Sequence, residues 1–469
     1  MSTLCPSPAN SLNILPNRLR LLAFNRVTPA GLVQMWLKMA TQCQIFSYNN
    51  IMQVEASEIA APQPRIIPRP EHILSRKNVP LEALKVLYRL HHSGYKAFLV
   101  GGSVRDLLLG KRPKDFDLAT DARPGEIRKL FRNSRIIGRR FRLVQVFFRG
   151  GKIIEVSTFR CRSEFDAGPE ETLPRNNTYG SPAEDAQRRD ITINGLFYNI
   201  ADFSVVDYVG GLEDLQQGYI RVIGDPGVRF VRDPVRMIRV LRHAARIGFT
   251  IDPAAWEEIQ AKKNLIRVCP PARLRDELLK DLRSGAARPF IELMLKSGLF
   301  YAIFPSWQGR LGKAAKVELL DHMERLDTVY QAELAFSENL LWGMFLTTYL
   351  HQEELPDNLG ELREAIAGHI RQALVTIEFP RQRQEETTQV LALAEAIQSY
   401  SQRRQTIPGR ITRLAAYPEA WLLNRLRAAP REEIVTLLTE TEPPAPKPPR
   451  RRRPRRRRPR GASRRPVKK

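Results

Sequence analysis

Leu81, Leu84, Leu87 and Leu90 recur at helical spacing, and Gly94 stands where a left-handed cap would close such a helix. The next apolar run, Tyr95–Val100, has strand length and ends in Gly101-Gly102. Further strand-like runs occupy Phe116–Leu118, Arg142–Phe148, Lys152–Phe159 and Val205–Tyr208, with helical patterns at Val104–Leu109 and Pro124–Phe131. From Asp233 onward the strand signals fade. Helical periodicity then runs through Pro234–Ile247, Arg273–Leu282, Arg288–Ser297, Lys316–Thr328 and Glu386–Ser399. The pattern predicts an α+β head followed by an all-helical neck and body, without an internal repeat.

Composition narrows the classes. The 469 residues are 43% hydrophobic, enough for two or three domains with their own cores. No run nears the ~18 apolar residues of a membrane span, so a membrane-spanning protein is not expected. Cys5, Cys43, Cys161 and Cys269 lie too far apart for a cystine framework or a CxxC zinc pair, which favours a reducing compartment. The net charge of +25 is uneven: Pro443–Lys469 holds 14 Lys and Arg with no acid, leaving +11 for the rest. Such a chain calls for a polyanion, whether RNA, DNA or an anionic membrane surface.

These shifts divide the chain. Residues 1–79 read as an N-terminal extension and proline-rich linker, 80–225 as the head, 226–300 as a neck, 301–442 as a helical body and 443–469 as a tail. Eight prolines among the tail arginines block regular structure, and both ends are expected to be disordered. Residues 1–54 lack acids and carry Arg18, Arg20, Arg26 and Lys38. They fit either an organellar transit peptide or an upstream extension ahead of Met52.

Three segments offer chemistry. In Leu99-Val-Gly-Gly-Ser-Val-Arg-Asp106, a strand turning through Gly101 and Gly102 into a helix lets the backbone approach a phosphate; an ordinary tight turn explains the glycines equally well. Asp115 and Asp117 follow with i, i+2 spacing, which on a strand sends both carboxylates to one face while Phe116 turns to the core. Like charges that close favour a bound cation, and oxygen ligands suit Mg²⁺; the alternative is a solvated strand end. Glu155, alone in an apolar run, must pair with a cation or face solvent from an edge. The second segment, Gln187-Arg-Arg-Asp-Ile-Thr-Ile-Asn194, combines guanidiniums for phosphate oxygens with Asp190 and Asn194 for ribose hydroxyls, or is a salt-bridged helix start. The third is Arg232-Asp-Pro-Val-Arg-Met-Ile-Arg-Val-Leu-Arg242. Here Asp233 can cap a helix on which Arg236, Arg239, Arg242 and Arg246 form a stripe opposite Met237, Val240, Leu241 and Ala244. A stripe of arginines without acids points to phosphates or bases rather than to a solvated face.

Taken together and in this order, Gly101-Gly-Ser-Val-Arg-Asp106, Asp115-Phe-Asp117, Arg188-Arg-Asp-Ile-Thr-Ile-Asn194 and Asp233-Pro-Val-Arg236 resemble the bacterial poly(A) polymerase and tRNA nucleotidyltransferase family, which has polymerase β-like heads. The resemblance spans about 80–300. It implies nucleotidyl transfer with two Mg²⁺ ions on Asp115, Asp117 and Glu155, and Asp190 as a further acid needed for activity. It makes Gly101, Gly102, Arg105, Arg189, Asn194, Arg239 and Arg242 nucleotide-binding positions and Asp233 and Arg236 the pair that reads the base. ATP would be the substrate, RNA 3′ ends the acceptors and the cytoplasm the location; RNA-decay partners are compatible with this reading. One departure is Arg232, where the family usually has a Glu that helps orient the base-reading arginine. Gly138-Arg-Arg-Phe-Arg-Leu143, Leu173–Gln187 and the arginine-rich C-terminus resemble the poly(A) polymerase branch. The alternatives are a CCA-adding or A-adding tRNA nucleotidyltransferase, and an inactive RNA-binding protein on the same head.

Overall fold

The computed structural model describes residues 63–138, 142–161, 179–334 and 336–440. The expectations for residues 1–62 and the tail, and parts of the Gly138–Leu143 and Leu173–Gln187 segments, lie outside the described residues.

Eight strands build the head: β1 (Arg65–Ile67), β2 (Ala97–Val100), β3 (Asp117–Thr120), β4 (Ser134–Ile137), β5 (Leu143–Phe147), β6 (Ile153–Thr158), β7 (Leu196–Asn199) and β8 (Val205–Asp207). They form one sheet in the order β1-β8-β7-β2-β3-β6-β5-β4, antiparallel except for β3 beside β6. Helices α1 (Leu81–His92), α2 (Gly102–Leu108) and α3 (Pro124–Leu130) pack against one face of it, while α4 (Pro182–Gln187) and α5 (Gly211–Gln217) lead toward the neck.

Strand alternation sorts the sheet into two faces. Leu99, Leu118, Val144, Val146, Ile154, Val156 and Tyr198 pack with Val86, Leu87 and Leu90 of α1. The opposite face holds a smaller core of Phe98, Val100, Ala119, Phe159 and Phe197. The rings of Phe98, Phe159 and Phe197 lie 5.7–6.4 Å apart between centroids. Asp117, in step with Ala119, and Glu155 belong to this second face.

Two boundaries differ from expectation. The head starts at β1 rather than at Pro80: Arg65–Ile67 pairs with β8, and Leu74 and Val79 are buried. Pro64 and Pro68 hide this strand in the sequence, yet an edge strand that pairs on one side tolerates them. The cut at 300 is not a break in packing either, because a single core runs from Ile191 and Ile193 through the neck to Leu437. The neck comprises α6 (Pro226–Arg232), α7 (Val235–Ile247), α8 (Pro253–Lys262), α9 (Pro271–Leu282) and α10 (Ala287–Ser297). The body follows with long helices at Lys313–Gln331, Glu338–Leu350, Leu359–Ala373, Arg381–Gln402 and Tyr417–Ala428. The Arg188–Asn194 segment is therefore a seam. Ile191 and Ile193 enter the helical core, whereas Leu196 and Tyr198, just beyond, enter the sheet core.

Candidate active site

The parallel pairing of β3 and β6 sets Asp117 opposite Glu155, and the antiparallel pairing of β5 and β6 sets Gln145 on the other side of Glu155. The three side chains thus share one face, with Gln145 Nε2 donating to Glu155 Oε1 at 2.9 Å. Asp115 lies in the extended lead-in to β3. Asp115, Asp117 and Glu155 line a cleft of about 1410 Å³ together with Lys77, Lys111, Arg112, Lys114 and Lys152. The edge alternative for Glu155 does not hold: β6 is interior, between β3 and β5, and its acid faces the cleft.

Burial, then the charge of Glu155, raise the Asp117 carboxyl above its ordinary range; Asp115 adds to this and Arg189 opposes it. A cation would relieve that repulsion, and an all-oxygen donor set suits Mg²⁺. Among the described residues no three ligating side chains are already gathered at metal-binding distance.

Gly101 turns β2 into α2 at φ +74°, and a Cβ there would stand 3.0 Å from Arg189 Nη1. The turn requires glycine both for its backbone angle and for this approach. Arg189 donates from Nη2 to Asp185 Oδ2 (3.0 Å) and from Nη1 to the Asn194 carbonyl (3.3 Å), and its guanidinium lies 5.3 Å from the Phe197 ring centroid. Asp185, wholly buried, also accepts two bonds from Arg188 (2.8 and 2.6 Å). It is a site residue absent from the sequence reading. Its signal was Ser181-Pro-Ala-Glu184, a capping box that fixes the helix carrying it.

Beside this turn, Arg105 donates to Asn194 Oδ1 at 2.7 Å and to Asp106, and Asn194 Nδ2 lies 3.3 Å from His243 Nε2. Asn194 is thus a link between head and neck. His243, also unforeseen, is held down at about 3 by burial and by Arg105 and Arg242, so it stays neutral near pH 7.

The arginine helix α7 departs from expectation in two ways. Its stripe is not free of acids, because Glu277 and Asp281 of α9 face it. Arg242, 7% exposed, donates to Asp281 at 2.5 and 3.0 Å and pairs with Glu277 at 2.5 Å. These ion pairs engage the position that the resemblance makes a nucleotide contact. Arg246 also pairs with Asp281, at 3.4 Å. Burial opposes ionisation of Glu277, yet Arg242 and Arg239 bring it down to about 2. The acids were legible in principle: Leu274, Leu278 and Leu282 mark the buried face of α9, and Glu277 and Asp281 flank it at the same four-residue spacing. Second, Asp233 does not cap α7. Its carboxylate accepts both prongs of Arg273, at 2.9 Å each. Asp190 is not among the residues that line the cleft and joins the arginine network instead. It accepts from Arg239 Nη1 at 2.8 Å and lies 3.3 Å from Arg236 Nε. Burial alone would raise its carboxyl, but Arg239 and Arg236 hold it below the usual range.

Arg236 is 4% exposed, between Asp190 and Asp233, and its Nε and Nη1 find no hydrogen-bond acceptor among the described residues. A buried guanidinium with unfilled donors can bind an acceptor-bearing planar ligand. Arg232, at the end of α6, is partly buried.

Residues 97–221 match the family model described as "Poly A polymerase head domain", and residues 248–309 match "Probable RNA and SrmB- binding site of polymerase A". Poly(A) polymerase I of Escherichia coli is 48% identical over 284 residues, covering 58% of this chain and 60% of that protein. Poly(A) polymerase I of Haemophilus influenzae is 44% identical over 241 residues, 50% and 53% of the two chains. A CCA-adding enzyme of Bacillus pumilus is more distant, 33% identical over 219 residues, 46% and 54% of the two chains. The matched region thus spans about 60% or less of each of these relatives. Among solved structures, the Bacillus stearothermophilus CCA-adding enzyme in complex with CTP superposes with a TM-score of 0.56 at 23% identity, covering 76% of this chain and 80% of that one. The Thermotoga maritima CCA-adding enzyme complexed with tRNA gives 0.54 at 19% identity, covering 79% and 84%. These likenesses establish the fold of head, neck and body.

Proposed function

We propose that this chain, whose head and neck belong to the poly(A) polymerase and tRNA nucleotidyltransferase family, is a polynucleotide adenylyltransferase that adds AMP from ATP to RNA 3′ ends and releases pyrophosphate. The observation that carries this reading is the acidic group of Asp117 and Glu155 on the second sheet face, with Asp115 just ahead of β3, set among five cations in an open cleft. Greater identity to poly(A) polymerases than to CCA-adding enzymes favours the adenylating branch.

Asp115, Asp117 and Glu155 would hold two Mg²⁺ ions, which when bound activate the RNA 3′-hydroxyl and brace the triphosphate. The protein's own residues do the positioning. Arg189, anchored by Asp185 against the Gly101 turn, brings a fixed positive charge beside Asp117 and suits a phosphate oxygen. Lys111, Arg112 and Lys114 line the same cleft and offset the remaining phosphate charge. Arg236 offers its unfilled donors to the base, with Asp190 and Asp233 holding its plane. Arg105 and Asn194, linked to each other and to His243, keep the glycine turn in register with α7. No histidine proton is needed.

On this reading residues 63–225 form the catalytic head, 226–300 the neck and 301–442 the body, and the enzyme works in the cytoplasm. The test supplies purified protein and Mg²⁺ with ATP, CTP, GTP or UTP separately, on oligo(A) RNA and on a tRNA lacking its CCA end. A ladder with ATP alone is expected. A discrete CTP product on the tRNA would move the chain to the CCA-adding branch, and no incorporation above background would leave an RNA-binding protein.

A further inference from the structure

The body reaches the cleft through the end of its Lys313–Gln331 helix. Asp327 there accepts the backbone N–H groups of Ala287 (2.6 Å) and Arg288 (2.9 Å), capping α10, and Glu324 pairs with Arg288 at 2.5 Å. These contacts pin the last turn of the helix to the neck. Three residues on, Tyr330 lies against Gly285 so closely that a Cβ there would be 2.5 Å from its Cδ1. Gly285 also has φ +74°, so glycine is required twice over. The turn that carries it is tied in turn to the arginine helix: Ser284 Oγ donates to the Asp281 carbonyl at 2.7 Å, and the Asp281 carboxylate holds Arg242 and Arg246.

The ring is thus fixed along one edge while Tyr330 stays 40% exposed. It lines a hollow of about 440 Å³ with Ser284, Gln331 and Leu334. Glu333 borders both this hollow and the acidic cleft. Lys114, the neighbour of Asp115, places its ammonium 6.0 Å from the Tyr330 ring centroid. A rigid aromatic, open on one side and flanked by a cation, is the recurrent arrangement for a nucleotide whose base stacks and whose phosphate is neutralised.

We infer that Tyr330 is the platform on which the 3′-terminal base of the RNA primer stacks, at the end of the cleft where Lys114 adjoins Asp115. The inference rests on the adenylyltransferase reading and adds a primer site to it. The incoming base is assigned to Arg236. Arg246, at the Tyr330 end of α7, is ten residues farther along, about 15 Å of helix, which leaves room for two separate bases. Stacking is tolerant of sequence because every base has a π face, which suits an enzyme acting on many 3′ ends.

The experiment uses the full chain and an oligo(A) RNA carrying 2-aminopurine at its 3′ terminus, whose fluorescence is quenched when the base stacks. Binding to the wild type should quench it, Tyr330→Phe should preserve the quench, and Tyr330→Ala should abolish it. A 2-aminopurine near the 5′ end should respond alike in all three proteins. In turnover, Tyr330→Ala should raise the KM for RNA about tenfold, the scale of one lost stack, with the KM for ATP within twofold of wild type. An unchanged quench in Tyr330→Ala, or an equal loss in Tyr330→Phe, overturns the proposal. The fluorescence arm needs no chemistry, so it decides the role of Tyr330 even if the protein were to add no AMP.

Discussion

Arg273 grips both carboxylate oxygens of Asp233, each at 2.9 Å, and so keeps Asp233 from closing on Arg236, whose Nε stays 3.8 Å away. Arg236 is held by ion pairs at a distance while its Nε and Nη1 donors remain unspent among the described residues. This arrangement also bears on Arg232. With a basic residue where the family usually has Glu, Arg236 is oriented by Asp190 and Asp233, and Asp233 by Arg273.

Replacing Arg236 by alanine should therefore relax nucleotide choice more than it weakens RNA binding. Asp190 keeps Arg239 and Asp233 keeps Arg273, so neither acid is stranded. A lost bidentate base contact of ~1–3 kcal/mol lowers the ATP-to-CTP preference roughly 5–150-fold. Competition between labelled ATP and CTP on one primer measures it. Weaker RNA binding with an unchanged ratio would make Arg236 a phosphate contact.

Asp115→Ala and Asp117→Ala should each reduce AMP incorporation by roughly 10³-fold or more, with little effect on the fold. Asp117 is held among like charges that raise its carboxyl, so its removal relieves repulsion. The melting temperature should stay level or rise slightly, and RNA affinity should persist. Near-normal turnover in either variant at saturating Mg²⁺ would remove these residues from the metal site.

Arg242 divides stability from chemistry. Arg242→Ala leaves Glu277 and Asp281 buried without their main partner and should cost about 3–5 kcal/mol in chemical denaturation. The KM for ATP should change little under conditions where the variant is folded. The pH dependence carries a definite sign. Glu277 is depressed to about 2, so its contribution is fully present above its ordinary value near 4.5 and is lost as pH falls through about 2. The stability difference between wild type and Glu277→Gln should hence be constant from pH 7 to about 5 and shrink below. A difference that grows on acidification would contradict the pairing.

Strands β2, β5, β6 and β8 and helix α7 fall within about two residues of where alternation and helical periodicity place them, because those signals are local. Asp115 and Asp117 were legible for the same reason. β1, β4 and β7 were not, since β1 sits between Pro64 and Pro68 and β4 and β7 follow closely on helical turns that mask their alternation. The partners of the arginine stripe failed differently. Arg242 meets Asp281 across 39 residues and Arg273 meets Asp233 across 40, so the partners that turn a seemingly free basic face into an ion-paired network come from another helix. Asp190 sits close in sequence to the head motifs, but the seam at Ile191 carries it to the neck.

Deleting Pro443–Lys469 should weaken RNA binding and flatten its salt dependence while leaving single-nucleotide addition intact. The segment has 14 positive charges and no acid, and neutralising phosphates releases counterions in proportion to the contacts made. Fewer than 14 phosphates are contacted at once, so only part of the salt slope should disappear. The cleft cations and the arginine helix lie outside the deleted segment. A primer end should still be held long enough for one addition. Long products should shorten, because RNA that leaves sooner receives fewer additions per encounter, and moderate salt should shorten the full-length protein's products toward those of the deletion. Product lengths for both proteins at low and moderate salt provide the measurement. Identical length distributions at both salts would show that the basic segment does not tether RNA.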